Sequence, residues 1–307
     1  MQDIYQKTIS EPITFEGIGL HLGQVSKIRI YPGEVNQGIV FKRTDIKKNN
    51  LIKANFNNVC SAKLCTTIQN NFGVKVSTVE HLLAAFYISG IDNVIVEINC
   101  EEVPIMDGSA KDFLKLLSKT KIKILDKKKK YLKILKKFEL VDGKRKISIE
   151  PNSSLEVDFQ LDYKNTIIGK QKNLVNFQKD DLTDVSSSRT FCLFEDIEKI
   201  KKAGLAKGGS LDNAIVVKEE QVLNSGGLRN KKEFVNHKIL DLAGDFLLSG
   251  HRVLGKIKCV QGGHELTNMF IRKLFENDSI FTILEKSNHL ISKDSISKQS
   301  IKIAVNA

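Results

Sequence analysis

Proline is scarce in this chain. Its 307 residues contain four, and no low-complexity linker separates one part from another, so a domain boundary has to be read from other signals. The five cysteines, Cys60, Cys65, Cys100, Cys192 and Cys259, are odd in number, and no two stand in a C-x-x-C pair. That spacing argues against a disulfide framework or a zinc knuckle and fits a reducing compartment, the cytoplasm. No apolar run reaches the roughly 18 residues of a membrane span, and MQDIYQKTISEPITFEG lacks the apolar core of a secretory signal. Neither AKGGSLDNA nor QGGHELTN matches a phosphate loop or a dinucleotide fingerprint, which disfavours nucleoside triphosphate hydrolysis and redox chemistry.

What is present describes a globular protein with a sizeable core: 41% hydrophobic and 27% charged residues in a length that fits one large domain or two ordinary ones. The net charge of +12 is uneven, with nine lysines between Lys121 and Lys137. A solvated lysine-rich surface is the first expectation and weak attraction to an anionic membrane surface the second; nucleic acid is not expected as a partner.

Periodicity supplies the elements. SKIRIYP, GIVFKR and NVIVEINC alternate as strands do, and STVEHLLAAFYISG reads as a helix opened by a Ser or Thr cap and closed by Gly90. A second helix is expected in DGSAKDFLKLLSK, with Asp107 or Ser109 near its start. The charged stretch from 118 to 131 breaks the apolar pattern and marks the crossing between two subdomains, 1–125 and 126–307. Beyond it YLKILKKFELV, RKISIEP and LEVDFQLDY read as strands, EDIEKIKKAG as a helix and NAIVV as a short strand. Residues 234–250 form a long helix in this reading, followed by a strand in KIKCVQG and a last helix in TNMFIRKLFE. Both halves mix strands with two helices, so the expected class is α+β. Aligning HLLAAFYISG (81–90) on DLAGDFLLSG (241–250) matches Leu82 with Leu242, Phe86 with Phe246, Ser89 with Ser249 and Gly90 with Gly250. It also sets His81 opposite Asp241, and two similar subdomains, an internal repeat, are expected.

The stretch FVNHKILDLAGDFLLSGH (234–251) is mostly apolar, yet it spaces His237, Asp241 and Asp245 four residues apart. On a helix such positions share a face, about 6 Å of rise apart. His237 and Asp241 can converge on one point, with Asp245 a turn behind as a support. Two readings stay open: the pair hydrogen-bond each other on a solvent face with Asp245 near the surface, or they hold a metal. Glu80 and His81, again a carboxylate beside a histidine in an apolar run, add weight to the metal. A catalytic zinc takes three protein ligands and leaves a place for water. His81, His237 and Asp241 meet that count, and Glu80 stands beside them as a base for a water whose pKa the metal lowers toward about 7. His264 falls in an expected loop after two glycines, where surface decoration is the default; SSSRTF and AKGGSLDNA read as a capped turn and a flexible loop.

Eight segments then occur in one order: EGIGLH (16–21), LCT (64–66), STVEHLLAA (77–85), VPIMDGSAKDF (103–113), SSRTF (187–191), GGSLDNAIVV (208–217), LRNKKEFVNHKILDLAGD (228–245) and GH (263–264). Over nearly the whole chain they resemble the bacterial zinc-dependent UDP-3-O-acyl-N-acetylglucosamine deacetylases. The resemblance implies two α+β subdomains of related topology, helices layered on sheets, with the active site between them. It implies one catalytic Zn2+ held by His81, His237 and Asp241, with Glu80 as general base. His264 becomes the general acid, or the cation beside the oxyanion, and Asp245 orients it. Thr190 donates to the oxyanion, Phe191 and Lys238 contact the sugar nucleotide, and the insert at 193–206 builds an apolar passage for the acyl chain. The implied reaction releases acetate and UDP-3-O-acyl-glucosamine in the cytoplasm, the committed step of lipid A synthesis.

The chain departs from that pattern at Leu22, where a small hydroxyl residue is usual, and at Cys192, where glycine is usual; both are expected in the pocket wall. The lysine run is heavier than the pattern requires and suggests weak contact with the inner membrane surface. IAVNA at 303–307 is similar to the small apolar tail that a cytoplasmic protease reads in this family. Two other functions remain: a metal-dependent amidase acting on another N-acetyl sugar, and a metal-stabilised binding protein without turnover. Glu80 separates the last from the first, since a structural site closes its fourth position and needs no carboxylate there.

Overall fold

The computed structural model describes residues 4–285. The IAVNA tail lies outside the described residues.

Two sheets share one strand order. In the first half Ile13–Ile18, Val25–Pro32, Val94–Ile98, Ile39–Arg43 and Leu51–Lys53 lie side by side in that order. In the second half Phe138–Asp142, Arg145–Pro151, Arg252–Val260, Leu155–Asp162 and Lys170–Asn176 do the same. Each central strand is the last of its five in sequence, antiparallel to one neighbour and parallel to the other. The outer pairs are antiparallel in both. The second sheet is extended by Lys130–Ile134, parallel to the start of Arg252–Val260, and by Phe281–Glu285.

Among the described residues the helices are α1 (Glu80–Ser89), α2 (Lys111–Leu117), α3 (Thr183–Ser186), α4 (Phe194–Lys202), α5 (Glu233–Leu247) and α6 (His264–Phe275). Helices α1 and α5 each lead into the central strand of their own sheet, and α2 and α6 each follow it. The architecture is α+β. Nearly every side chain of α1 and α5 is buried, so neither needs a polar stripe for water. The two helices pack on each other at Gly244, where a Cβ would lie 2.1 Å from the Glu80 carbonyl oxygen. A glycine inside a helix costs about 1 kcal/mol relative to alanine; here it permits the backbone approach that brings the two halves together. No helix among the described residues is long and apolar enough to cross a membrane.

Several sequence expectations change. Helix α1 has no Ser or Thr cap: Val79 is its N-cap, and Thr78, at φ 56°, donates its hydroxyl to Glu102 instead. Gly90 closes the helix at φ 74° as expected, in the left-handed region that glycine enters without a steric cost. Helix α6 begins at His264, with Gly263 as an extended N-cap at φ −172°, so His264 is the first helical residue and not part of a loop. YLKILKKFELV is two strands, broken where the amides of Leu135 and Lys136 turn to the Ile280 carbonyl. The charged stretch from 118 to 131 is also structured: Ile122–Lys128 pairs antiparallel with Tyr5–Ile9, and the 125/126 division falls inside that strand.

Candidate active site

Packing α1 against α5 decides which polar groups meet. His81 is the second residue of α1, and His237 and Asp241 lie one turn apart on α5. The Nε2 atoms of both histidines stand 3.3 Å from Asp241 Oδ1, and the rings cross at 83° with centroids 5.0 Å apart. One ligand atom from each of the three residues can be chosen so that all lie within 4.8 Å of one another. None of this is on a solvent face, because His237, Asp241 and Asp245 are each at most 4% exposed. The reading of a solvent-exposed pair is therefore corrected.

Asp241 Oδ1 is buried and has no hydrogen-bond partner despite the two imidazole nitrogens beside it. An unsatisfied buried carboxylate oxygen is costly, and a cation among the three groups satisfies it. The residues present fit a divalent metal on that ground. His237 Nδ1 lies 3.1 Å from the Ser188 carbonyl, a contact that directs Nε2 toward Asp241. Burial holds His237 down to about 3, against the pull of Asp241, so it is neutral, as a metal ligand must be. Burial alone would raise the Asp241 carboxyl, but His237, Lys238 and His264 hold it well below the usual carboxylate range. Lys238 Nζ donates to Asp241 Oδ2 at 2.8 Å and lies 5.7 Å from the Phe191 ring centre.

A second group flanks the triad. His264 Nδ1 is 2.7 Å from Asp245 Oδ2, while its Nε2 is 3.7 Å from Glu80 Oε1 and 3.8 Å from Asp241 Oδ2. Burial pulls His264 down, but Asp245, Glu80 and Asp241 outweigh it and take the imidazolium up to about 10. Glu80 moves up because it is buried, an effect that nearby Asp245 and Asp241 reinforce while His264 and His81 oppose it. Thr66 holds both carboxylates: its amide donates to Glu80 Oε2 at 3.0 Å and its hydroxyl to Asp245 Oδ1 at 2.7 Å.

These groups open into a cavity of about 380 Å³ whose wall includes Thr190, Phe191 and Lys238. A second, apolar cavity of about 360 Å³ adjoins it, lined in part by Phe194, Ile197 and Ile200 of α4, inside the expected acyl insert. His21 and Cys192 line both. Leu22, expected in the wall, is not among the lining residues of either cavity; its amide donates to Glu102 Oε2 at 2.7 Å. The structure thus brings the expected Glu80, His81, Thr190, Phe191, His237, Lys238, Asp241 and His264 to one cavity, with Asp245 behind it.

No sequence pattern assigns a role to Thr66, Ser188, Arg189, Glu233 or Glu102. Arg189 Nε donates to Glu233 Oε1 at 2.8 Å and pins the segment carrying Ser188 and Thr190 to the start of α5. Glu102 accepts from the amides of His21 and Leu22 and from the Thr78 hydroxyl. The motifs LCT and SSRTF contained three of these residues, with nothing local to say what they bind.

Comparison with known proteins gives the same direction. Residues 6–276 match the family model described as LpxC: UDP-3-O-acyl N-acetylglycosamine deacetylase. The UDP-3-O-acyl-N-acetylglucosamine deacetylase of Syntrophotalea carbinolica is 41% identical over 283 residues, 92% of this chain and 91% of that one. The protein of the same name from Haemophilus ducreyi is 40% identical over 278 residues, 89% of this chain and 91% of its own. With a match of this extent to the family model and relatives this similar along nearly their whole length, the chain belongs to the UDP-3-O-acyl N-acetylglycosamine deacetylase family.

Proposed function

We propose that the protein is a zinc-dependent amidase that hydrolyses the N-acetyl group of UDP-3-O-acyl-N-acetylglucosamine. It yields acetate and UDP-3-O-acyl-glucosamine in the cytoplasm, the committed step of lipid A synthesis. The observation that carries the reading is the convergence of the His81, His237 and Asp241 triad with the Glu80 and His264 pair in one cavity that adjoins an apolar one.

His81, His237 and Asp241 hold the ion, which when bound supplies Lewis acidity toward water and the amide carbonyl. Glu80, raised by burial and anchored by the Thr66 amide, accepts the proton of the attacking water. The Thr190 hydroxyl donates to the oxygen that becomes negative, fixed charge stabilisation that needs no rearrangement during the reaction. The C–N bond breaks as His264, protonated and aligned by Asp245, gives its proton to the departing glucosamine nitrogen. Water's oxygen ends in acetate; its first proton goes to Glu80 and its second, left on the new carboxyl group, returns to His264, so the sum is amide plus water giving acetate and amine, with the Glu80 proton released. Phe191 and Lys238 bound the space for the sugar nucleotide, and α4 lines the space for the acyl chain. The same reading takes residues 1–125 and 126–307 as duplicated subdomains, supported by their equivalent sheets and by α1 and α5 standing in corresponding places.

The test is acetate release from UDP-3-O-acyl-N-acetylglucosamine alongside the metal content of the purified protein. Glu80→Gln should lower turnover by about 10²- to 10⁴-fold with the metal retained, and His237→Ala should lose the metal. Equal rates on UDP-N-acetylglucosamine without an acyl chain would move the assignment to another amidase. A stoichiometric metal with no acetate released would leave a binding protein.

A further inference from the structure

Residues 111–137 hold twelve lysines, two aspartates and no arginine, so this stretch alone supplies ten of the chain's net twelve positive charges. Its centre is the strand Ile122–Lys128, which pairs along one edge with Tyr5–Ile9 in a sheet of two strands. Lys119, Lys121, Lys123 and Lys127 are exposed and have no carboxylate partner among the described residues. Between them Ile122 and Ile124 stand 39% and 41% exposed. Being two apart on a strand, they project to the same side, while Lys123 between them leans to the other, so the ribbon carries its isoleucines on one side and lysines on the other and around its ends.

A lysine-rich composition alone does not explain this distribution. On the exposed side of the second sheet lysines are laid against acids: Lys146 with Glu139, Lys172 with Asp158, Lys256 with Glu156 and Lys258 with Glu150, all within 3.2 Å. The 119–127 surface has the same residue type with a single acid, Asp126, for which no ion pair is found among the described residues, and aliphatic side chains between. Nucleic acid is a poor match, since the patch has no arginine for paired contacts to phosphate, and its aromatics Phe113 and Tyr131 are buried and cannot stack on bases. Ammonium groups that need only a diffuse negative field, around isoleucines that gain by leaving water, match an anionic lipid surface.

We propose that Ile122–Lys128 and its flanking lysines form a docking surface for an anionic bilayer, with the lysines drawing the protein to the headgroups and Ile122 and Ile124 entering the interface. This stands apart from the catalytic reading and is read out without turnover. Full-length protein is sedimented with phosphatidylcholine vesicles containing about a third phosphatidylglycerol, and with phosphatidylcholine alone. Binding is expected to the first only, and to fall away between about 0.1 M and 1 M salt as the screening length shrinks from about 10 Å to about 3 Å. Each lysine near such a surface contributes about fivefold, so the triple variant K121Q/K123Q/K127Q should bind about a hundredfold more weakly. I122S/I124S keeps the charge and should bind several-fold more weakly. Circular dichroism and acetate release in vesicle-free solution should match the parent for both variants. Equal binding to the two vesicle types overturns the proposal, as does a triple variant that sediments like the parent. So does duplex DNA bound more tightly than the anionic vesicles and indifferent to I122S/I124S.

Discussion

A single methyl group tests whether the chemistry depends on how closely α1 and α5 approach. In Gly244→Ala the new carbon would lie 2.1 Å from the Glu80 carbonyl oxygen, 3.0 Å from its carbon and 3.1 Å from the Ala84 nitrogen. All three are backbone atoms, so no rotamer change relieves the contact, and the helices must separate by about 1 Å to restore ordinary spacing. Glu80 and His81 travel with α1, whereas His237, Asp241 and Asp245 travel with α5, so the separation divides the proposed metal ligands and proton-transfer groups between two displaced bodies. Overpacking of this kind costs about 1–3 kcal/mol, and a misplacement of about 1 Å at reacting groups costs about 10²-fold in rate. Helix propensity points the other way, favouring alanine by about 1 kcal/mol, so the sign of the stability change is diagnostic. The measurements are the urea midpoint, zinc per chain and kcat for acetate release, with Gly226→Ala as control because a Cβ there meets nothing within 4 Å. A Gly244→Ala protein that is as stable as its parent, holds a full complement of zinc and keeps its kcat would refute the argument.

Other consequences follow from the groups behind the triad. Arg189→Met leaves Glu233, which is fully buried, without its guanidinium and should cost about 3–5 kcal/mol in urea unfolding; a loss under about 1 kcal/mol would mean that the pair does not organise the site. Asp245→Asn removes the charge that aligns His264 and should reduce kcat about 10- to 100-fold, the range for partners of ligating or catalytic histidines, with zinc content preserved. In metal-stripped protein the two perturbed histidines act at opposite ends of the pH scale. His264, taken up to about 10, contributes stability that is complete below its ordinary value of 6.5 and lost as pH rises through about 10. His237, held down to about 3, binds its proton more readily unfolded, so stability falls as pH drops from 6.5 toward about 3. Urea midpoints across pH should lose the alkaline limb in His264→Gln and the acid limb in His237→Gln; limbs unchanged by these substitutions would sink the assignments.

What could be read in advance was what one helix fixes by itself. His237, Asp241 and Asp245 lie in line because 3.6 residues make a turn, and that holds whatever surrounds them. The apolar residues around them left little of the helix for water, but a solvent-facing pair stayed open; what buries the pair is α1 lying across α5, to which the match between 81–90 and 241–250 and the family resemblance also pointed. Thr66 was beyond any local pattern, since it meets Asp245 across 179 positions of sequence. Arg189 and Glu233, 44 apart, were hidden for the same reason. The misreading of His264 has a different origin: two glycines suggest a loop, but Gly263 is extended and serves as the helix cap, so the helix starts at once. YLKILKKFELV misled because alternation continues across a break made by a distant carbonyl at Ile280. The strand Ile122–Lys128 went unseen because lysines mask its alternation, its stability coming from pairing with the far amino-terminal strand.

Under the proposed mechanism, the charges of the site allow His264 to hold a proton firmly at rest and still release it. With Glu80 ionised, the carboxylates of Glu80, Asp241 and Asp245 face the ammonium of Lys238 and the imidazolium of His264, which leaves one negative charge uncompensated in a buried space. That excess is what takes His264 up to about 10. A divalent cation between His81, His237 and Asp241 turns the deficit into a net positive charge, and a neighbouring cation lowers the proton affinity of an imidazole. The proton of His264 would therefore become easier to give with an ion in place, which would tie the proposed acid to the loaded site and leave it a poor acid in the metal-free one. Following the His264 ring by NMR across pH should show a lower midpoint in the zinc-loaded protein than in the stripped one. A midpoint that is equal or higher with zinc would break the link between ion and acid.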